Sequence, residues 1–315
     1  MSGRFVKVQI AGGLLVLSLL FPLASCHQKA EAPSAREFAT PDEAGDALLS
    51  AAKSGSPDDI AAIFGPNSKE LLESGDSVQD KNTLQAFITS YSDMHRWRKM
   101  QDGSETLLIG SDNFPMAIPL RKNASGKWYF DTAAGKDEML NRRIGRNELA
   151  AISVCRALVY AQAQYHGQLH DGSTTAQYAL KFISDPGKQN GLYWKPENGQ
   201  PESPLGPAFS EAAAEGYSAD GKGHTPFHGY LFRVLTGQSG KAPGGAKDYL
   251  VDGKMIKGFA FVAYPANYGA SGIMTFITNQ DGLLLQKDLG PDTVKAAISM
   301  TKYDPDSGWD PVVEP

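Results

Sequence analysis

Between Asp131 and Glu148 the chain carries four carboxylates and three arginines: Asp131, Asp137, Glu138, Arg142, Arg143, Arg146 and Glu148. Two carboxyl groups flanking a glycosidic bond supply the acid and the base of glycan hydrolysis, provided they face one another across a cleft. The same residues in opposite-sign pairs instead tie surfaces together, because a guanidinium fork matches a carboxylate in shape and charge. Acids near a helix start add a favourable term with its dipole. The even mixture of signs favours the second use, and an interdomain charge network is expected here.

The histidines are the next chemistry-bearing group. His166 and His170 are four apart, as are His224 and His228, and Asp171 adjoins the first pair. Zinc takes such ligands when both side chains leave one helical face. Gly167 interrupts the first pair and Pro226 the second, so loop histidines are expected, with no metal site and no cofactor. Ser239 in "TGQSGKAPGG" and Ser271 in "YGASGIM" lie among glycines but lack the G-x-S-x-G elbow of a serine nucleophile. "GQSGKAPGG" also lacks the spacing of a phosphate-binding loop. Cys155 shares an apolar helical face with Ile152 and Val159 and is expected to be a buried thiol. No catalytic residue is assigned. Tyr193 and Trp194, in the Pro/Gly-rich "NGLYWKPENGQPESPLGP", are the binding candidates, since no strand periodicity requires aromatics there and both types are favoured at binding hot spots; the alternative is that they fold back over the core as a lid.

These residues need elements to hold them. "FATPDEAGDALLSAAKSG" predicts a helix with Thr40 as cap, Pro41 in its first position, Glu43 completing a capping box, and Gly55 as its stop. "SPDDIAAIFG" repeats that start for a second helix, and a third is expected over 81–97 with Leu84, Phe87, Ile88 and Tyr91 inward. "TLLIG", "PMAIPLR" and "KWYFDT" read as strands, the last two joined by the turn "NASG". "AAGKDEMLNRRIGRNE" reads as a polar joint before a long helix over 146–165. Shorter helices are expected over 176–183 and 209–215. From Gly229 onward "GYLFRVL", "DYLVDGKMIKGFAFVAYP", "GIMTFIT" and "LLLQKD" form an antiparallel meander with turns at "VDGK" and "NQDG". The class is α+β in two domains, 38–140 and 141–315. The first resembles the nuclear-transport-factor-2-like or cystatin-like layout of helices on a small antiparallel sheet. The second resembles the soluble heads of pilins and pseudopilins, although "NRRIGRNE" stands where those proteins carry an apolar assembly helix.

Arg4 and Lys7, the apolar run from Val8 to Phe21 and the small residues before Cys26 have the three parts of a secretory signal. The run falls short of the roughly 20 apolar residues of a spanning helix. "LASC" resembles the lipobox of bacterial lipoproteins, which implies a signal peptide over 1–25, lipidation of Cys26 and a flexible tether over 26–37. A buried lipid methylene contributes about 0.8 kcal/mol, and stable anchoring takes two chains or more. His27 rather than Asp after the cysteine favours the outer membrane, by resemblance to the enterobacterial sorting rule.

With 30 Lys and Arg against 35 Asp and Glu, a net charge of −5 and no basic block, nucleic acid is excluded as a partner class. Once Cys26 is acylated, Cys155 has no cysteine to pair with, so no internal disulfide is expected.

The wording "FATPDEAGDALLSAAKSG", "FDTAAGKDEMLNRRIGRNELAAI", "GLYW", "ESPLGP", "FHGYLFRVLT" and "GIMTFITNQDGLLLQKDLG" resembles an uncharacterised bacterial family known as domain of unknown function 2950. The resemblance implies an exported protein and brings no activity to carry over. Where relatives tend to have an Asp-rich loop after the long helix, "HGQLHDGSTTAQYA" keeps only Asp171, too few oxygens for calcium. The expected function is a periplasm-facing, lipid-anchored binding or assembly module of the cell envelope with a protein partner, and no catalysis. The alternative is an envelope glycan or peptidoglycan hydrolase using the carboxylates between Asp131 and Glu148.

Overall fold

The computed structural model describes residues 35–65, 68–197, 201–217 and 225–313. The expected signal peptide, Cys26, the expected tether up to residue 34 and His224 lie outside the described residues. All of the described residues belong to one compact unit.

The first helix, α1 (Pro41–Ser54), is capped as its sequence requires. Thr40 Oγ1 accepts from the Glu43 N–H, and Gly55 ends the helix at φ +67°. Helix α2 (Pro57–Phe64) repeats the device with Ser56, and the short α3 (Lys69–Leu72) follows. Helix α4 (Ser77–Asp93) starts earlier than 81 because Asp76 caps it, and it stops at Met94, which is extended. Trp97 therefore lies in a strand, not in that helix. The strand is β1 (His95–Lys99), whose four basic residues around one tryptophan hide its alternation.

Strands β2 (Glu105–Ile109), β3 (Phe114–Pro115), β4 (Leu120–Lys122) and β5 (Trp128–Phe130) complete an antiparallel sheet of order β1-β2-β4-β5, with β3 on β2. The turn Asn123–Gly126 joins β4 to β5 as expected. Phe38, Leu48, Ile63, Phe64, Leu120 and Phe130 fill the core between helices and sheet.

Helix α5 spans Thr132–His166, 35 residues, with Asp131 as its cap. The stretch read as a joint is its first half, and the boundary expected at 140/141 falls inside one continuous helix. Ala, Lys, Glu, Met, Leu and Arg all favour helix, and the segment reads as polar only because few of its positions are buried. Beyond it come α6 (Gly206–Ala214), β6 (Tyr230–Leu235), β7 (Gly237–Gln238), β8 (Lys247–Asp248), β9 (Leu250–Val251), β10 (Lys254–Met255), β11 (Ala260–Pro265), β12 (Met274–Asn279), β13 (Leu285–Asp288), α7 (Thr293–Ser299), β14 (Lys302–Tyr303) and β15 (Asp310–Pro311).

The main sheet is antiparallel in the order β15-β13-β12-β11-β6. Ala151 and Cys155 of α5 pack on Tyr230, Ala263 and Phe276 of this sheet. Burial pushes the Cys155 thiol up to about 12, so it is the inert buried cysteine expected from its helical face. The mixed helix-and-antiparallel-sheet class is thus as the sequence implied.

The helix expected over 176–183 does not form. Gln162 reaches across and holds both backbone groups of Ala179, accepting from its N–H at 2.8 Å and donating to its carbonyl at 2.8 Å. Tyr178 and Ile183 make isolated bridges to Met255 and Tyr193. These tertiary partners outcompete the local helix, as they commonly do for short segments.

Candidate functional site

An apolar cavity of about 430 Å³ opens beside strand β6. Val154 and Leu158 of α5 form its floor, Phe209 and Ala212 of α6 one wall, and Leu231 and Phe232 of β6 another. Tyr193 enters it and stacks on Phe209, with ring centroids 4.1 Å apart and planes 12° apart. Cavities of this size and lining are the usual form of a small binding site.

The two aromatic candidates separate here. Tyr193 lines the cavity, whereas Trp194 is buried, donates from Nε1 to the Pro201 carbonyl at 3.1 Å and packs against Tyr165 and His170. Trp194 also borders a second cavity of about 400 Å³, with Gln164, His170, Glu202 and Ser203.

Behind the main cavity lies a buried polar junction that fixes its far wall. Asp76 is only 2% exposed. Its Oδ1 accepts from the Gln79 N–H at 3.0 Å, and its Oδ2 accepts from the Tyr217 hydroxyl at 2.7 Å and the Gly229 N–H at 3.0 Å. Tyr217 is itself a lining residue. Gln79 Nε2 donates to Asn147 Oδ1 at 2.7 Å, and Asn147 Nδ2 donates to the Ser271 carbonyl at 2.8 Å. Asn82 donates to the Glu215 carbonyl, and Glu215 pairs with His228 at 3.2 Å. The start of α4 is thereby tied to the segments flanking α6 and β6.

The charged residues of 131–148 reach several different partners along α5. Asp131 caps α5 and pairs with Arg121 at 3.1 Å. Glu138 pairs with Arg142 at 2.7 Å, and Arg142 also donates to the Pro115 carbonyl and lies over the Phe114 ring. Arg143 donates to the Leu71 carbonyl, and burial lowers its pKa. Glu148 Oε1 accepts from the N–H groups of Ile273 and Met274 at 2.9 and 3.0 Å. Asp137 and Arg146 are exposed. A helical rise of about 1.5 Å per residue places Asp131 and Glu148 roughly 25 Å apart, well beyond the roughly 5–9.5 Å of a hydrolytic pair. None of the seven residues lines either cavity described above.

His166 stacks on Tyr178 and His170 is buried against Tyr165, so this pair is divided between two packing roles. His228 is engaged with Glu215, and its partner His224 is outside the described residues. Among the described residues no cluster of metal-ligand side chains occurs. Ser271 Oγ donates to the Asn267 carbonyl and accepts from the Asn267 N–H, which makes it a turn lock. Ser239 is bonded to Asp304 at 2.5 Å.

Phe209, Ala212, Tyr217 and Phe232 were not singled out in the sequence. Phe209, Ala212 and Phe232 follow their own elements' periodicity, Tyr217 lies in the loop after α6, and only the meeting of α5, α6 and β6 makes them one surface.

The tyrosines around these cores give the fold an alkaline limit. Burial pushes Tyr91, Tyr165 and Tyr249 up to about 12. Tyr217 is raised as well, by burial first and then by its bond to Asp76. A folded pKa above the unfolded value of about 10 means that the neutral form is favoured on folding. That contribution is complete below about pH 10 and is lost as pH climbs through about 12. Denaturant midpoints should therefore be flat from pH 8 to 9 and fall steadily above 10, in step with ultraviolet titration of phenolate.

No curated protein and no solved structure matches the chain. A family described as "Protein of unknown function (DUF2950)" matches residues 35–312. That span takes in both helix–sheet layers, the cavity and the junction behind it, and the chain belongs to the DUF2950 family.

Proposed function

We propose that the protein is a binding or assembly module of the bacterial cell envelope, lipid-anchored through Cys26 and facing the periplasm, with the outer membrane favoured. The observation that carries the binding role is the apolar cavity at β6, with the Tyr193–Phe209 stack in its wall. Removing an apolar group from water into such a site contributes about 25 cal/mol per Å², and lining of this kind asks for an apolar partner. The anchor rests on "LASC" and the apolar run before it. A hydrolytic role has no comparable support, since Asp131, Glu138 and Glu148 are each engaged with an arginine or with backbone amides.

Two measurements test the reading. A saturating, roughly one-per-chain signal from an apolar fluorescent dye is expected, and Ala212→Trp should weaken it at least tenfold with little change in melting temperature. Cys26→Ser should move the protein from the membrane to the soluble fraction of the envelope. Dye binding that ignores Ala212→Trp would remove the cavity from the account, and membrane attachment that survives Cys26→Ser would remove the anchor.

A further inference from the structure

The cavity does not stand alone: it lies against a strand edge whose middle is left open among the described residues. Strand β6 ends the main sheet with β11 as its ladder partner, and among the described residues its outward side is taken at both ends, where Tyr230 pairs with Phe227 and the N–H of Thr236, just past β6, donates to the Thr301 carbonyl. Residue pairs in an antiparallel ladder alternate between those that exchange hydrogen bonds and those that point their amides away. Tyr230 faces Pro265, which has no N–H, and spends both of its own backbone groups on Phe227. Tyr230 therefore points away from β11, and so do Phe232 and Val234. Among the described residues nothing pairs with the outward N–H and C=O of Phe232 and Val234. Both residues are partly exposed.

Exposed sheet edges are commonly blunted by charge, proline or brevity. The opposite edge of this sheet is β15, two residues of Asp and Pro. Strand β6, "YLFRVL", is six residues with a single charge. That charge is turned elsewhere: Arg233 Nη1 donates to the carbonyls of Ala297 and Ile298 at 2.5 and 2.7 Å, at the end of α7. The open edge and the cavity share Phe232.

We infer that an extended apolar peptide segment of a partner protein adds to β6 as a further strand and places alternate side chains in the cavity. This deepens the binding role proposed above and rests on the cavity being the binding site. Two features select a polypeptide over an acyl chain. An acyl chain would fill the cavity and leave the Phe232 and Val234 amides unpaired, whereas a strand satisfies both through its backbone. The period of two in a strand also suits one apolar wall beside one open edge, since every second side chain points to the same face.

The test uses a pool of hexapeptides with Leu, Ile, Val or Phe at alternate positions, the same pool N-methylated at alternate residues, and palmitate as the acyl probe. Hydrogen exchange is read on the full soluble chain. In the free protein, Phe232 and Val234 should exchange faster than Leu231, Arg233 and Leu235. Saturation with the pool should slow those two amides at least tenfold, and N-methylation should abolish the effect. Val234→Pro removes an N–H that β11 does not use, so the ladder survives, and pool affinity should fall at least tenfold while palmitate or dye binding is unchanged. Three outcomes overturn the inference. Protection of Phe232 and Val234 in the free chain would mean that the edge is already taken. Palmitate binding in the cavity with no peptide protection would leave the cavity as a site and remove strand addition. Binding of neither probe would remove both.

Discussion

Replacing Asp76 by Ala is expected to lower stability by about 4 kcal/mol and the melting temperature by on the order of 10 °C. Three contributions lead to that figure. The side chain caps α4 through the Gln79 N–H, and losing a cap costs about 1 kcal/mol. It also accepts from the Tyr217 hydroxyl and the Gly229 N–H in a site where it is 2% exposed. Each bond to a charged acceptor contributes roughly 1.5–3 kcal/mol, and each stranded buried donor adds a desolvation cost. Asp76→Asn separates the parts, because Asn caps as well as Asp but offers only one acceptor oxygen. It should recover about 1 kcal/mol and leave the Tyr217 side disrupted. Urea unfolding of both variants, with Tyr217→Phe as the single-bond control, measures the division. A loss under about 1.5 kcal/mol for Asp76→Ala would mean that water replaces the carboxylate, and that the junction does not hold the cavity wall.

The junction also shows what was readable in the chain and what was not. Helices α1 and α2 were legible to the residue, because their starts are written in local chemistry: a hydroxyl cap, a proline, then acids. Strands β6, β11, β12 and β13 of the main sheet were legible as apolar runs, whereas "KDYLVDGKM", expected in the same meander, forms β8, β9 and β10, which pair outside that sheet. Asp76 was not read as a cap because "ESGDSVQD" offers several polar starts, and its choice depends on Tyr217 and Gly229, far away in sequence. Strand β1 was hidden because four of its five residues are basic. The first half of α5 was taken for a joint because polarity was read as irregularity, although the residues are good helix formers. Segment 176–183 failed in the opposite sense, as a helical pattern that Gln162 and Met255 hold extended. Of the candidate site, Tyr193 was found because an aromatic in a Pro/Gly-rich loop has no local reason to be there. Its partners Phe209 and Phe232 had local reasons, and so carried no signal.

The same long helix supplies a pair of identical substitutions with opposite expected signs. Gly135 and Gly145 both lie within α5, and helix propensity alone credits Gly→Ala with up to about 1 kcal/mol at each. At Gly145 nothing lies within 4 Å of where a Cβ would sit. Gly145→Ala should therefore stabilise by about 0.5–1 kcal/mol. At Gly135 a Cβ would stand 2.5 Å from Ile118 Cα and 2.6 Å from the Ala117 carbonyl oxygen. Both are backbone atoms on the approach to β4, so no rotamer change relieves them. Overpacking of this kind costs roughly 1–3 kcal/mol, and backbone obstruction puts it at the upper end, which exceeds the propensity gain. Gly135→Ala should destabilise by about 2 kcal/mol net, with the unfolding slope unchanged. The contrast isolates packing from propensity, since the helix and the added methyl are the same. If both variants gained stability, the start of α5 would have to move freely against the 117–118 segment, and the capping of α5 by Asp131 would no longer fix where the long helix leaves the first sheet.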